Sequence, residues 1–245
     1  MEEVVVVIPD IHGNLDALES VLAQAGDNKL VFLGDYIDRG ERSAEVLRRV
    51  RALTERGHTA LMGNHEEMLL DYVHGGGKYW LTSHIGGQMT VQSFACEAGR
   101  GFGKSGDLHG YLKQDGMLDW LENLPRKVTV GGVTFSHGPI TPFGAASNPT
   151  WNQPVANTEQ AWSDELGDPG CGFVVCGHVP TLPDGERQGL SAFEPDPSGP
   201  VLELLCSDLA AKHDRKPMLF RHGLYLDCGC GSIEGAPLYA ARLRC

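Results

Sequence analysis

Six side chains of metal-ligand type recur along the chain: Asp10, His12, Asp35, Asn64, His137 and His178. Together they offer two carboxylates, one amide oxygen and three imidazoles, with no thiolate. A mixed nitrogen and oxygen set of this kind suits manganese, iron, zinc, cobalt or nickel and argues against a calcium or purely magnesium site. Asp35 is central in the series and has two oxygens, so it can bridge two ions. Two ions roughly 3.5 to 4 Å apart can activate one water and clamp a phosphoryl oxygen. Asp38 and Arg39 follow in Gly34-Asp35-Tyr36-Ile37-Asp38-Arg39-Gly40, a proton-handling carboxylate beside a forked phosphate donor. Alone, each has a plainer reading. Asp10 would be a turn or cap residue, His137 and His178 hydrogen-bonded histidines, Asn64 a left-handed turn residue, and Asp38-Arg39 a surface ion pair. Their shared position, just after strand-like runs, favours one dinuclear centre.

Those runs are the elements that must position the side chains. Val4 to Ile8, Leu30 to Leu33 and His58 to Met62 are short apolar runs of buried-strand type. Asn14 can cap a helix carrying Leu15, Leu18 and Leu22. Ser43 can cap a second with Val46, Leu47, Val50 and Leu53 on one face. Glu66 to Val73 reads as a third. Strand, helix, strand, helix, strand predicts parallel pairing with crossover helices, and ligands collect beyond the carboxyl ends of such strands. Residues 74–126 are broken by glycine clusters and read as a helical insert beside the site, with Trp80, Phe94, Tyr111 and Trp120 among its apolar positions. Lys127 to Val130 and Val133 to Ser136 predict a hairpin turned by Gly131-Gly132. Phe173 to Cys176 is a further buried strand. A variable loop tract over residues 180–220 contains one possible strand, Val201 to Leu205. Leu224 to Asp227 and Leu238 to Leu243 close the chain.

The chain has 245 residues, and the convergence of residues from 10 to 178 predicts a single domain over 1–245. A net charge of −12 disfavours a nucleic acid or an anionic membrane as partner, since both want clustered Lys and Arg. No stretch resembles a signal peptide or a membrane span, so a cytoplasmic protein is expected. The seven cysteines are scattered and read as free thiols, with Cys228 and Cys230 as small buried side chains near a strand.

Asp10-Ile11-His12-Gly13, Gly34 to Gly40 and Gly63-Asn64-His65-Glu66 resemble the three signature blocks of the calcineurin-like metallophosphoesterases. More closely they resemble the bacterial and bacteriophage lambda type of serine/threonine phosphoprotein phosphatase. Ser136-His137-Gly138, Gly177 to Thr181 and Leu224 to Gly229 resemble the later motifs. The resemblance implies an α/β fold, a four-layer αββα sandwich. It implies that Asp10, His12 and Asp35 hold one metal, and that Asp35, Asn64, His137 and His178 hold the other. It further implies His65 as general acid, oriented by Asp38, with Arg39 and Asn64 binding phosphate oxygens. The expected cofactors are two divalent ions, manganese foremost. The expected chemistry is in-line attack by the hydroxide they hold in common.

Two departures stand out. Pro9 replaces a usual glycine. Trp162-Ser163-Asp164-Glu165 stands where relatives carry a second phosphate-binding arginine, leaving Arg187 and Arg221 as candidates from the variable tract. The first reading is a phosphoric monoester hydrolase acting on a phosphorylated protein or a small phosphate ester. The alternative is a symmetrical diadenosine tetraphosphate hydrolase. A third is a phosphate-binding module without turnover.

Overall fold

The computed structural model describes residues 3–140, 172–181, 199–208, 213–220 and 223–245. Its first third alternates as predicted: β1 (Val4–Ile8), α1 (Leu15–Ala25), β2 (Lys29–Phe32), α2 (Ser43–Thr54), β3 (Thr59–Ala60) and α3 (Asn64–Val73). The three strands pair in parallel. β3 is shorter than the His58 to Met62 run. Leu61 N–H still donates to Phe32 O, but Met62 N–H turns to Pro125 O and the chain leaves the sheet.

Three helices follow, α4 (Gly87–Glu97), α5 (Ser105–Gln114) and α6 (Met117–Glu122), with a 3-10 turn at Tyr79–Leu81. They pack on α2 and α3. Next comes the hairpin of β4 (Lys127–Val130) and β5 (Val133–Ser136). Gly131 and Gly132 both take positive φ, as a two-residue hairpin turn requires. The remaining strands are β6 (Phe173–Cys176), β7 (Val201–Cys206), β8 (Met218–Phe220), β9 (Gly223–Tyr225) and β10 (Tyr239–Arg244). β8 lies in the tract read as loop; three residues after a proline carry no periodicity to reveal it.

The strands form two five-stranded mixed sheets, ordered β3-β2-β1-β10-β7 and β4-β5-β6-β9-β8. Strand alternation decides what each face meets. Val5, Val7, Val31, Leu33 and Leu61 of the first sheet meet Val133, Phe135, Val175, Leu224 and Leu226 of the second. Val6, Ile8, Leu30 and Phe32 point the other way, into Leu18 and Val21 of α1, Val46, Leu47 and Val50 of α2, and Leu69 of α3. Each fully buried side chain of this size contributes about 1.5–3 kcal/mol. The result is the expected α/β architecture of helices, sheet and sheet. All six described helices contribute to the core between helices and first sheet, so the helical layer expected outside the second sheet is not among the described residues.

Asn14 caps α1 through Oδ1, which accepts Ala17 N–H at 3.1 Å. Ser43 does not cap α2. Arg42 holds that position without a side-chain bond, and Ser43 Oγ accepts Asp38 N–H at 3.1 Å instead. Cys96, Cys176, Cys206, Cys228, Cys230 and Cys245 are free thiols, Cys228 and Cys230 both buried. No helix among the described residues is long and apolar enough to cross a membrane.

Candidate active site

Three parallel strands of each sheet end at one edge of the sandwich. β1 delivers Asp10 and His12, β2 Asp35, β3 Asn64 and His65. From the second sheet β5 delivers His137, β6 His178 and β9 Asp227. The loops are tightly wound. Among the described residues the non-glycine positions at positive φ are His12 (46°), Asp35 (53°), Asp38 (73°), Arg39 (65°) and His178 (73°), all candidate site residues. This conformation costs L residues about 1–2 kcal/mol each. Contacts between loops hold it. Ile11 and His12 N–H both donate to Asp35 O at 3.0 Å, and Gly40 N–H donates to His12 O at 3.1 Å. A Cβ on Gly177 would stand 2.1 Å from Asp10 Oδ2, so only glycine lets β6 end against that carboxylate.

One cluster gathers on Asp35 Oδ1. His137 Nε2 lies 3.3 Å from it, 2.8 Å from Asn64 Oδ1 and 3.1 Å from His178 Nδ1. One nitrogen proton cannot serve three acceptors. His137 Nδ1 and His178 Nε2 are buried with no partner among the described residues. A second cluster faces Asp35 Oδ2, with His12 Nε2 and His65 Nε2 each 3.7 Å away. His12 Nδ1 donates to Ile37 O at 2.8 Å, which leaves the lone pair on Nε2. Arg39 Nη1 donates to that lone pair at 2.5 Å and also to Ser232 Oγ, while Nη2 lies 3.4 Å from His65 Nε2. Arg39 therefore points into the site. Asp10, expected beside His12 and Asp35, accepts the His178 backbone N–H on both oxygens at 3.1 Å.

His65 Nδ1 and Asp38 Oδ2 are 2.6 Å apart. Asp38 also accepts from Trp80 Nε1 on Oδ2 (2.8 Å) and from Thr90 Oγ1 on Oδ1 (2.6 Å). Glu66, at the first turn of α3, accepts Asp35 N–H (2.8 Å) and Gly63 N–H (3.1 Å) on Oε2 and Tyr36 N–H (2.9 Å) on Oε1. Trp80, Thr90, Glu66, Asp227 and Ser232 are not singled out by sequence reasoning. Glu66 closes the Gly63 to Glu66 motif and Asp227 ends a strand as Asp35 does, which were usable signals. Trp80 and Thr90 carried none. Trp162 to Glu165, Arg187 and Arg221 lie outside the described residues.

Residues 4–182 match the sequence profile of the calcineurin-like phosphoesterases. The chain belongs to that family. Relatives carry two kinds of name. A symmetrical bis(5'-nucleosyl)-tetraphosphatase from Janthinobacterium sp. (strain Marseille) is 28% identical over 176 residues, 71% of this chain and 55% of that protein. Serine/threonine-protein phosphatase 2 of Escherichia coli K12 is 40% identical over 82 residues, 31% of this chain and 36% of that protein. The chain thus spans about half or less of these relatives. The solved metallophosphoesterase from Sphaerobacter thermophilus shares the fold with a TM-score of 0.54 at 19% identity, covering 99% of this chain and 88% of that one.

Divalent ions belong to the chemistry of calcineurin-like phosphoesterases, and the donors here fit them. Ligand atoms of Asp35, His137 and His178 lie within 4.8 Å of one another, as do those of His12, Asp35 and His65. The crowding of Asp35 Oδ1, Asn64 Oδ1 and His178 Nδ1 on His137 Nε2 is what a cation between them would relieve.

Charge in this phosphoesterase site is divided sharply. Burial would raise Asp35, but the His137 and His65 imidazoles outweigh it and hold the carboxyl well below its usual range. Burial pushes Asp10 up to about 6 and Glu66 up to about 8, the latter with help from Asp35. Burial also raises Asp227, with Asp10 adding to it. Burial and the neighbouring His65 keep His12 well below the ordinary histidine value. Burial and His137 lower His178 to about 3. For His65 burial opposes the proton, yet Asp35 and the bond to Asp38 raise it. His12 and His65 share a cluster, and their surroundings shift their proton affinities in opposite directions.

Proposed function

We propose that this chain is a metal-dependent phosphoric monoester hydrolase of the serine/threonine phosphatase kind. The observation that carries the reading is the His65–Asp38 pair, whose Nδ1 is committed to the carboxylate at 2.6 Å while Nε2 faces the Asp35 side of the site. A serine or threonine alkoxide is a poor leaving group and needs such a proton. The phosphate leaving group of a dinucleoside polyphosphate needs it far less.

Asp35, with one oxygen toward each cluster, would bridge two ions; His12 and Asp10 would serve one side, and Asn64, His137 and His178 the other. Bound there, divalent ions, manganese foremost, would supply an activated water and positive charge against the phosphoryl oxygens. Arg39 and Asn64 would orient those oxygens, the guanidinium neutralising charge as the phosphoryl group transfers. As the P–O bond breaks, its electrons stay on the leaving oxygen, and His65 Nε2 gives that oxygen its proton. Asp38 keeps the other imidazole proton on Nδ1. A net charge of −12 argues against nucleic acid or an anionic membrane as partner.

The symmetrical tetraphosphatase reading is favoured by one observation, the 71% of this chain that aligns with the Janthinobacterium enzyme. Rates on a phosphothreonine peptide and on diadenosine tetraphosphate, both with manganese, separate the two. Preference for the tetraphosphate would overturn the first. No turnover even of p-nitrophenyl phosphate would leave a phosphate-binding module.

A further inference from the structure

The insert meets the Asp38–Arg39 turn at three places. Trp80, wholly buried, donates Nε1–H to Asp38 Oδ2 at 2.8 Å, the oxygen that faces His65 Nδ1. Thr90, in α4, donates to Asp38 Oδ1 at 2.6 Å and accepts Asp38 N–H at 2.9 Å. Gly86 O accepts Arg39 N–H at 3.4 Å. The approach needs glycine twice: a Cβ would stand 2.7 Å from Arg39 N at Gly86 and 2.6 Å from the Trp80 indole at Gly87. Packing alone does not call for this chemistry. A phenylalanine and a valine would fill the same core beside Tyr72 and Phe94. What the indole N–H and the threonine hydroxyl add is two donors to one carboxylate.

That carboxylate has no exposed surface, and its two oxygens take hydrogens from three directions. A buried carboxylate held by one bond alone can rotate; held by three, it has one orientation. We infer that Trp80 and Thr90 are positioning residues for proton transfer. They fix Asp38 so that His65 keeps a proton on Nδ1 and turns Nε2 toward the leaving oxygen. The inference rests on the proposed role of His65 and extends it to the insert. In the transfer the His65 Nε2–H bond breaks and the leaving-group O–H bond forms. Trp80, Thr90 and Asp38 exchange no proton with the substrate.

The test uses the whole chain with added manganese and two substrates. Phenyl phosphate needs a proton on its leaving oxygen, and p-nitrophenyl phosphate hardly does. Trp80→Phe and Thr90→Val should each lower kcat on phenyl phosphate by about tenfold to a hundredfold, the usual cost of losing an outer-shell partner, with KM unchanged. The loss on p-nitrophenyl phosphate should be smaller. Thr90→Ser, which keeps the hydroxyl, should recover most of what Thr90→Val loses. In a His65→Asn background neither change should cost anything further. Equal losses on both substrates, losses that appear in KM, or full additivity with His65→Asn would overturn the inference. Should Trp80→Phe unfold by circular dichroism, the Thr90→Val and Thr90→Ser pair decides. Failure of the underlying reading looks different: His65→Asn would itself lose equally on both substrates.

Discussion

The fold treats the imidazoles on the two sides of Asp35 in opposite ways. On the Oδ1 side, His137 and His178 keep buried nitrogens without partners, and three acceptors crowd one nitrogen. On the Oδ2 side, His65 is bound to a carboxylate that takes two more donors, so that both of its oxygens are bonded. Buried polar groups are normally satisfied. Where acceptors crowd one nitrogen, the arrangement would suit a cation; where a bonded carboxylate holds an imidazole, it would keep a proton in place.

Removing the shared residue should erase the contrast. Asp35→Asn weakens both sides, so turnover should fall by more than about a thousandfold and bound metal, measured by elemental analysis, should be lost from both positions. Retention of two ions would show that the clusters do not depend on Asp35. Striking only the saturated side should cost less: His65→Asn lowers turnover of a phosphothreonine peptide by about two to four orders of magnitude, with metal content unchanged. Loss of metal in that variant would make His65 a ligand, and the division proposed here would fail.

The unsatisfied side should answer to pH. Burial opposes a charge on His137, but Asp35 and Asp10 raise it to about 9, so an incoming ion must displace its proton. In the metal-stripped protein, manganese affinity should therefore rise by about tenfold or more from pH 6.5 to 8.5, with proton release measurable by calorimetry. A flat profile would contradict that protonation. The smallest effect belongs to Glu66. Its folded value of about 8 lies above the ordinary 4.5. Stability tied to its proton is full below about 4.5 and lost as pH rises through about 8. Glu66→Gln removes the titrating group and should flatten that loss in metal-stripped chain, while its NH2, which cannot accept, gives up at least one backbone bond. Glu66→Ala leaves three backbone N–H groups without an acceptor and should cost about 3 kcal/mol in urea melts.

The ligand-type residues of both sides were legible in the sequence because parallel strands present their chemistry where they end. Asp10, His12, Asp35, Asn64, His137 and His178 each follow an apolar run, and runs are visible. Half of the saturated side was legible for the same reason, through Asp38 and His65. The rest was not. Trp80 sits in an apolar stretch where an indole reads as core, and Thr90 lies mid-helix with no motif around it. Only the tertiary approach of the insert turns them toward Asp38. Ser43 shows the converse: a residue of capping type was drawn from its helix by a nearer donor, the Asp38 N–H.

The five left-handed residues bear on the order in which this chain assembles. That conformation costs a residue with a side chain, and the bonds that hold it come from loops distant in sequence: Asp35 O with Ile11 and His12, His178 N–H with Asp10. The first pair needs β1 and β2 side by side, and the His178–Asp10 bonds need the two sheets docked as well, so the edge should be completed late and relax early. Turnover is then a stricter gauge of the native state than helix content. In rising urea it should vanish at a lower concentration than the far-ultraviolet signal, because the edge opens while the six helices still stand on their sheet.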